Sequence, residues 1–278
     1  FKLKLKYIIR KLLKYFDVFI PNYLIFKKIK KVSSNIFKGK IKVCKKCGFG
    51  EAVYKPKDEK LKEYYESFYW NSYRKKSSKF NDYFQNDARA KHQTSSIINN
   101  IKININDVLE IGGADCNTSL ILKKINNNLQ IYNYDAQIWK DYCKLNNINF
   151  FSEEEFSNSK KKFDLIISSH QLEHVNNLSK TLSKFNNFLK NEGYIFIEVP
   201  NVNPSYWKLD TLDTPHLYFF TKKSLQNCLD KFGFDLISIE TFGNSYEELL
   251  SKKKQNYEIQ RDDGAYLKAL FKKKKFSY

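Results

Sequence analysis

Short apolar segments alternate with amphipathic segments through the middle of this chain. The short segments are rich in β-branched and aromatic residues and predict strands near 107–111, 129–134, 148–151, 163–168 and 194–199. Between them, apolar residues at helical spacing predict helices near 117–127, 137–146 and 178–190. This alternation predicts an α/β fold with a mostly parallel sheet and helices on both faces. In such a sheet, ligands bind beyond the carboxyl ends of the strands.

The chain divides into four segments by composition and pattern. After the alternating elements, the pattern predicts a helix near 221–232, a strand at 234–242 and a last strand at 265–271. The segments are a basic amphipathic extension (1–42), a region with a Cys-x-x-Cys pair and a helical aromatic stretch (43–90), the ligand-binding core (91–245), and a C-terminal strand with a basic tail (246–278).

An acidic residue and two glycines lie near the end of the first predicted core strand. Glu110 stands two positions before Gly112, and Gly113 and Ala114 follow. The glycines allow a sharp turn and a close approach of the backbone to a ligand. Capping side chains at 117–119 then predict a helix whose positive end faces the turn. The acidic residue would repel a pyrophosphate but is compatible with an ammonium or sulfonium group, which points to S-adenosylmethionine (SAM).

A second acidic residue ends the next predicted strand. The carboxylate of Asp135 can accept hydrogen bonds from both ribose hydroxyls of a nucleoside, with Ala136 beside it. An alternative role for Asp135 is to cap the helix that follows. After the third strand, the acidic run 153–155 could bring Glu154 near the adenine amino group. A solvated acidic turn explains this run equally well.

The fourth predicted strand leads into a polar loop. Ser169 and His170 end the strand and are expected to contact the cofactor, and Leu-Glu-His-Val follows at 172–175. Two later segments are Thr-Pro-His-Leu-Tyr-Phe-Phe-Thr at 214–221 and Phe-Gly-Phe at 232–234. Together with the glycine turn, these segments resemble class I SAM-dependent methyltransferases.

The resemblance covers roughly residues 80–272 and implies a Rossmann-like sheet whose last strand is antiparallel. It also implies SAM as the cofactor and S-adenosylhomocysteine (SAH) as the product. Ala114 and Cys116 stand where the family has its second and third glycines. From their position relative to the family, Tyr83 and Arg89 are expected to close over the amino-acid end of SAM.

The segments after the fifth strand are typical of one branch, rich in enzymes of bacterial surface-glycan and sugar-modification pathways. The resemblance therefore implies a sugar or glycan-precursor acceptor, small or lipid-linked, and O-methylation in capsule or lipopolysaccharide biosynthesis. The aromatic stretch at 64–73 is interpreted as a lid or acceptor wall, or as packing for the extension. One alternative is C- or N-methylation of a nucleotide sugar or another small metabolite. A SAM-binding module without turnover is a further alternative, motivated by the replaced glycines.

Three of the four histidines follow predicted strand ends. O-methylation requires that a proton leave the acceptor hydroxyl, which a group titrating near neutrality performs best. His216 is the first candidate for this base, and His170 is the second. His174 is expected to pack or hydrogen-bond at the start of the next helix. His170 and His174 have a spacing that metal ligands use, but no clear third ligand accompanies them, so no metal site is predicted.

Basic residues are concentrated in the extension. The chain has a formal net charge of +19, and residues 1–42 contain thirteen Lys or Arg against one acidic residue. Apolar and aromatic residues interleave with them, as at 7–16, which predicts a basic amphipathic helix that could lie on an anionic membrane surface. A solvated helix explains the pattern as well, and nucleic-acid binding is the least favoured alternative. Lysines interrupt every apolar run, so neither a membrane-spanning helix nor a cleavable signal is expected.

Five cysteines are present, and two of them form a Cys-x-x-Cys pair. Cys44 and Cys47 have the spacing of a zinc knuckle, but a closed zinc site needs four ligands. His92 or a partner chain would have to complete it, and a degenerate zinc ribbon is the favoured interpretation. The odd count indicates reduced thiols and a cytoplasmic location. If residues 1–42 do bind an anionic membrane, we expect them to hold the protein peripherally at the inner membrane face.

Overall fold

The computed structural model describes residues 23–28, 40–66, 69, 87–208, 216–251 and 254–275. The predicted helix at 7–16 and the predicted cofactor contact of Tyr83 lie outside these ranges. The strands are β1 (Tyr23–Lys28), β2 (Lys40–Cys44), β3 (Gly50–Ala52), β4 (Asp107–Ile111), β5 (Gln130–Tyr134), β6 (Asn149–Phe150), β7 (Phe163–Ser169), β8 (Leu189–Pro200), β9 (Tyr218–Phe219), β10 (Phe234–Ser245) and β11 (Gly264–Lys273). The α-helices are α1 (Asp58–Glu63), α2 (Asp87–Ile98), α3 (Asn117–Ile125), α4 (Lys140–Leu145), α5 (Glu153–Asn158), α6 (Leu178–Phe188), α7 (Lys222–Lys231) and α8 (Tyr246–Leu250). Short 3₁₀ helices lie at Gln137–Trp139, Leu172–His174 and Tyr206–Lys208.

Seven strands form the larger sheet, in the order β10-β11-β8-β7-β4-β5-β6. The pairs from β6 through β8 are parallel, whereas β11 is antiparallel to both of its neighbours, β8 and β10. The predicted mostly parallel sheet with an antiparallel last strand is confirmed. The carboxyl ends of β4, β5 and β7 therefore lie side by side at one edge of the sheet, where a ligand is expected.

The central strands β4 and β7 are buried on both faces because helices cover the sheet on either side. On one face, Leu109 and Ile166 share an apolar cluster with residues of α6 and α7. On the other face, the alternate residues Val108 and Leu165 pack with residues of α2, α3 and α4. Because successive side chains point to opposite faces, a strand buried on both faces has a continuous apolar sequence.

A second sheet, antiparallel and in the order β1-β2-β3-β9, was not predicted from the sequence. The Cys-x-x-Cys turn connects β2 and β3, and the Gly48 N–H donates to the Cys44 carbonyl at 2.8 Å. The Thr221 hydroxyl donates to the Cys47 carbonyl at 2.7 Å, which ties the turn to the start of α7. The pairing of β3 with β9 also positions the residues just before β9, including His216.

Two of the predicted segment boundaries fall inside secondary-structure elements. The boundary after residue 42 lies within β2, and the boundary after residue 90 lies within α2. The described part of the extension includes β1, which pairs with β2. Among the helices of the described ranges, none is long and apolar enough to cross a membrane.

Replacing Leu109 by alanine tests the contribution of the central strand to stability. The Leu109 side chain is 0% exposed, so Leu109→Ala should lower the free energy of unfolding by about 3 kcal/mol through lost burial and the cavity left behind. Leu145→Ala is the matched control, because Leu145 at the end of α4 is 82% exposed. The control should change the free energy by less than about 0.5 kcal/mol. Urea denaturation followed by circular dichroism measures both, and equal losses would contradict this explanation of the core.

Candidate cofactor and acceptor site

A cavity of about 1040 Å³ opens at the carboxyl ends of β4, β5 and β7. Small-molecule sites occupy roughly 300–1,000 Å³, so this cavity can hold a nucleoside-sized ligand beside a second molecule. Its walls come from the glycine turn, the end of β5, the loop after β7, and helices α1 and α2. The sequence-predicted site residues that line it are Glu110, Gly112, Gly113, Ala114, Asp135, Ala136, Ser169, His170, Arg89 and His216.

The glycine turn brings the backbone directly against the cavity. Gly112 has a φ of +68°, and a Cβ there would lie 2.8 Å from the Cγ of Gln171. A Cβ on Gly113 would lie 2.6 Å from the Cγ of Glu110. Ala114 has a φ of 48°, a left-handed conformation that costs a non-glycine residue about 1–2 kcal/mol. The turn therefore has the shape of a glycine loop, although Ala114 replaces a glycine of the family.

Glu110 is buried beneath this turn, with 4% exposed. Its carboxyl group accepts hydrogen bonds from the Ser119 hydroxyl and, at 3.3 Å, from the Ser119 N–H. Burial raises the pKa of Glu110 to about 8, an effect that the Ser119 hydrogen bond opposes and the nearby Asp115 carboxylate reinforces. A cationic ligand close to Glu110 would therefore favour its ionised form.

Asp135 occupies the end of β5, the position predicted to bind ribose. Its carboxylate accepts the N–H of Ala114 at 2.7 Å and the N–H of Ala136 at 2.6 Å. Burial raises the pKa of Asp135 to about 6, and these two hydrogen bonds oppose the rise. A carboxylate offers about four acceptor positions, so about two remain for a diol. The cradle of glycines and this oriented carboxylate fit a nucleoside cofactor such as SAM.

Arg89 in α2 reaches the cavity and is bound to the buried Glu198 of β8. Its Nε donates to Glu198 at 2.8 Å, and its Nη2 donates to the Ser169 hydroxyl at 3.0 Å. Gln93, one turn later, donates to the Glu198 carboxylate at 2.9 Å. Burial alone would raise the pKa of Glu198, but the Arg89 guanidinium lowers it to about 2. Glu198 and Gln93 were not predicted, although the single acid within the apolar run 194–199 was an available signal.

The two predicted bases lie in different environments. His170, with a φ of 49°, has its Nδ1 3.3 Å from Glu173 and its Nε2 3.5 Å from Glu198. Burial lowers the pKa of His170, but these two carboxylates raise it above its usual value. Burial, reinforced by the nearby His174, lowers the pKa of His216 to about 3. His216 is therefore neutral at neutral pH, whereas the two carboxylates beside His170 favour its charged form.

The acidic run after β6 forms the first turn of α5. Glu153 lines the cavity and accepts a hydrogen bond from the Tyr134 hydroxyl at 2.5 Å. Glu154, which was predicted to approach adenine, is exposed and is not among the described residues that line the cavity. A capping box between Ser152 and Glu155 sets the register of α5. This register brings the first acid of the run to the cavity instead of the second.

Comparison with known proteins adds independent support for the fold and the family. The sequence matches the profile of a family described as a methyltransferase domain over residues 65–239, which is more than half of the chain. No curated protein shows a significant sequence match to this chain. A similar solved structure is a SAM-dependent methyltransferase, a possible histamine N-methyltransferase, from Thermotoga maritima. It has a TM-score of 0.54 and 15% identity, and the alignment covers 74% of this chain and 100% of that chain.

Two further solved structures are similar to this chain. A SAM-dependent methyltransferase from Archaeoglobus fulgidus has a TM-score of 0.52 and 22% identity over 70% of this chain and 100% of that chain. The plantazolicin methyltransferase BpumL, in complex with SAH, has a TM-score of 0.54 and 18% identity over 77% of this chain and 94% of that chain. At these identities, the likeness shows the fold. The family match spans the residues that form the glycine turn and most of the parallel sheet, and it shows that this chain belongs to the class I SAM-dependent methyltransferases, with SAM as its cofactor.

Proposed function

We propose that this chain transfers the methyl group of SAM to a hydroxyl of a sugar or glycan precursor. The proposal rests mainly on the part of the cavity that extends beyond the glycine turn, because aromatic and histidine side chains form its wall. Tyr65, Tyr69, His174 and His216 line this part of the cavity. Aromatic rings provide large apolar faces with a polar edge, which suit the face of a sugar ring. Imidazole nitrogens can bind its hydroxyl groups.

Four carboxylates are the residues that we assign to SAM. Asp135 would accept the ribose hydroxyls, and Glu110 and Asp115 would face the positive charges of the cofactor. Glu153, rather than the predicted Glu154, would lie on the adenine side. SAM supplies a methyl group bound to a sulfonium sulfur, so the protein has to align the acceptor more than to form covalent bonds with it.

We assign the role of binding the acceptor hydroxyl and accepting its proton to His216 rather than to His170. The His216 Nδ1 lies 3.2 Å from the Tyr206 hydroxyl, and its Nε2 lies 4.0 Å from Glu173. His216 lines the cavity at the aromatic wall. His170, in contrast, has both ring nitrogens within 3.5 Å of buried carboxylates.

N-methylation of an amine, such as an amino sugar, is a second candidate. The carboxylates of Asp58, Glu59 and Glu66 line the same cavity and would attract a cationic amine. The similar Thermotoga maritima protein is described as a possible histamine N-methyltransferase. Acceptor assays separate this candidate from O-methylation.

The cellular setting that we propose is the cytoplasmic assembly of a surface polysaccharide, capsule or lipopolysaccharide. The resemblance of the sequence to that branch of methyltransferases supports this setting. A net charge of +19 would also hold the chain near an anionic membrane face, where lipid-linked precursors are found.

The Asp135→Asn variant tests the ribose contact. It keeps the size of the side chain but removes its charge and one acceptor. The Kd for SAM should rise by about tenfold or more, because a hydrogen bond to a charged group contributes about 1.5–3 kcal/mol. Asp141→Asn, on the exposed side of α4, is the matched control and should leave the Kd unchanged. Calorimetry measures both values, and an unchanged Kd for Asp135→Asn would remove Asp135 from the site.

Methyl transfer from isotope-labelled SAM to a panel of saccharides tests the acceptor class. The panel holds nucleotide sugars and lipid-linked saccharides, each paired with its amino-sugar counterpart. We expect labelled product from the hydroxyl members of the pairs. Label confined to the amino members would support N-methylation instead. Binding of SAM without transfer to any saccharide would overturn the proposed acceptor class.

The His216→Gln variant tests the residue assigned to the acceptor. Its kcat should fall by at least about 100-fold, the usual effect of losing a group that acts on a proton in the reaction. The Kd for SAM should change by less than about twofold, because His216 is assigned to the acceptor end. His92→Gln is the matched control, since His92 packs against Phe242 and Lys268 away from the cavity. Turnover retained in His216→Gln would remove His216 from the reaction.

A further inference from the structure

We propose that Glu173, His174 and His216 form a binding site for a divalent transition-metal ion at the acceptor end of the cavity. One potential ligand atom of each residue lies within 4.8 Å of the others. No other group of three such residues occurs in the part of the chain that the structure describes. No metal site was predicted from the sequence, because His170 and His174 had no evident third ligand. The fold instead brings His174 together with Glu173 and with His216 from a distant segment.

Hydrogen bonds hold the two contributing segments together. Glu173 and His174 belong to the 3₁₀ helix after β7, and His216 precedes β9. The Leu217 N–H donates to the Glu173 carbonyl at 2.7 Å, so the backbones beside the candidate ligands are joined directly. The pairing of β9 with β3 anchors the second segment on its other side. Such a backbone holds the ligands close to the geometry that an ion requires.

The Glu173 carboxylate is the group that most directly indicates a cation. Its side chain is 1% exposed, and neither oxygen has a hydrogen-bond partner among the described residues. Oε1 lies 3.7 Å from Nε2 of His174 and 4.0 Å from Nε2 of His216. A buried carboxylate without hydrogen bonds is strongly unfavourable, and an ion among these three atoms would neutralise it. The rival counter-charge is His170, whose Nδ1 lies 3.3 Å from Oε1 without hydrogen-bond geometry.

Two imidazoles and one carboxylate are a donor set that suits Zn²⁺ and its neighbours in the first transition row. Three protein ligands leave a coordination position open, as in catalytic zinc sites. The open position would face the cavity, because His174 and His216 both line it. Metal–ligand bonds of about 2.1 Å in tetrahedral geometry separate ligand atoms by about 3.4 Å. The ligand atoms would therefore draw together by less than about 1.5 Å on binding.

Tyr206 orients His216 for this role. Its hydroxyl oxygen lies 3.2 Å from Nδ1 of His216. A proton on Nδ1 that is donated to this oxygen leaves the lone pair of Nε2 directed to the side of Glu173. Histidines that bind metals commonly donate their other ring N–H in this way, which fixes both the tautomer and the ring orientation.

The site deepens the proposed function, and it rests on that function in one respect, the binding of the acceptor at this end of the cavity. The open coordination position would hold the acceptor hydroxyl, and the ion would lower the pKa of that hydroxyl so that its proton passes to water. The oxygen would then take the methyl group of SAM, and the sulfonium sulfur would keep the bonding electron pair as the neutral thioether of SAH. His216 would then be a metal ligand rather than the proton acceptor. The binding of the ion itself does not depend on which acceptor is used.

Cobalt binding to the metal-free full chain tests the site in the absence of SAM and acceptor. The double variant Cys44→Ser/Cys47→Ser is the background, so that the Cys-x-x-Cys turn cannot bind the ion. We expect calorimetry to show one equivalent of bound Co²⁺, with a visible spectrum that lacks thiolate charge-transfer bands. Binding only when the two cysteines are present would overturn the proposal, and so would the absence of binding in both proteins.

Single substitutions in the same background identify the ligands. His174→Ala and His216→Ala should each raise the Kd for Co²⁺ by at least about 100-fold. His92→Ala removes a histidine outside the cavity and should leave the Kd unchanged. Calorimetry with SAM shows that each variant is folded, and we expect its Kd for SAM to stay near the value of the background protein. Unchanged cobalt affinity in both ligand variants would overturn the proposal.

X-ray absorption of the zinc-loaded background protein counts the ligands without any further substitution. We expect two imidazoles and no sulfur around the ion, and a coordination shell without imidazole would overturn the proposal. The outcome is separate from that of the acceptor assays, because no acceptor is present. A protein that binds the ion but methylates no saccharide would keep the metal site and refute the proposed acceptor.

Discussion

The burial of several carboxylates at one edge of a parallel sheet is the constraint on which the site depends. Glu110, Glu173 and Glu198 are buried, and Asp115 and Asp135 are partly buried. Three of the carboxylates outside the proposed metal site are stabilised differently: Arg89 pairs with Glu198, two backbone N–H groups bind Asp135, and Glu110 has a pKa of about 8 and keeps its proton at neutral pH. Glu173 has histidines around it but no hydrogen bond from the described residues. The cavity is therefore arranged for positively charged ligands.

This charge arrangement explains how one sheet edge can serve two ligands. At the ends of β4 and β5, the glycine turn and Asp135 suit a nucleoside. Past the end of β7, the wall changes to histidine and tyrosine side chains around Glu173. The small sheet contributes through β9, which positions His216 against the loop after β7. The cofactor end is built from residues close together in the sequence, whereas the acceptor end depends on contacts between distant segments.

The cofactor end could be predicted from the sequence because its signals are local. Strand, turn and helix signals lie together within 107–119, and Asp135 could be assigned from its place at a strand end. The pairing of Arg89 with Glu198 and the meeting of the histidines in the proposed metal site could not be predicted, because only the sheet topology brings those segments together. Which acid of the run 153–155 reaches the cavity could not be predicted either, because it depends on the register of α5, which a capping box sets. The small sheet escaped prediction because its strands are short and β3 pairs with the distant β9.

The claim that these carboxylates hold a cationic cofactor is tested most directly by counting the protons exchanged when SAM binds. Calorimetric titrations at pH 7 in two buffers of different ionisation enthalpy give that number. Since burial raises the pKa of Glu110 to about 8, the group is about nine-tenths protonated at pH 7. A cation beside it should therefore release between about half a proton and one proton. SAM binding with no proton release, or with proton uptake, would contradict the claim.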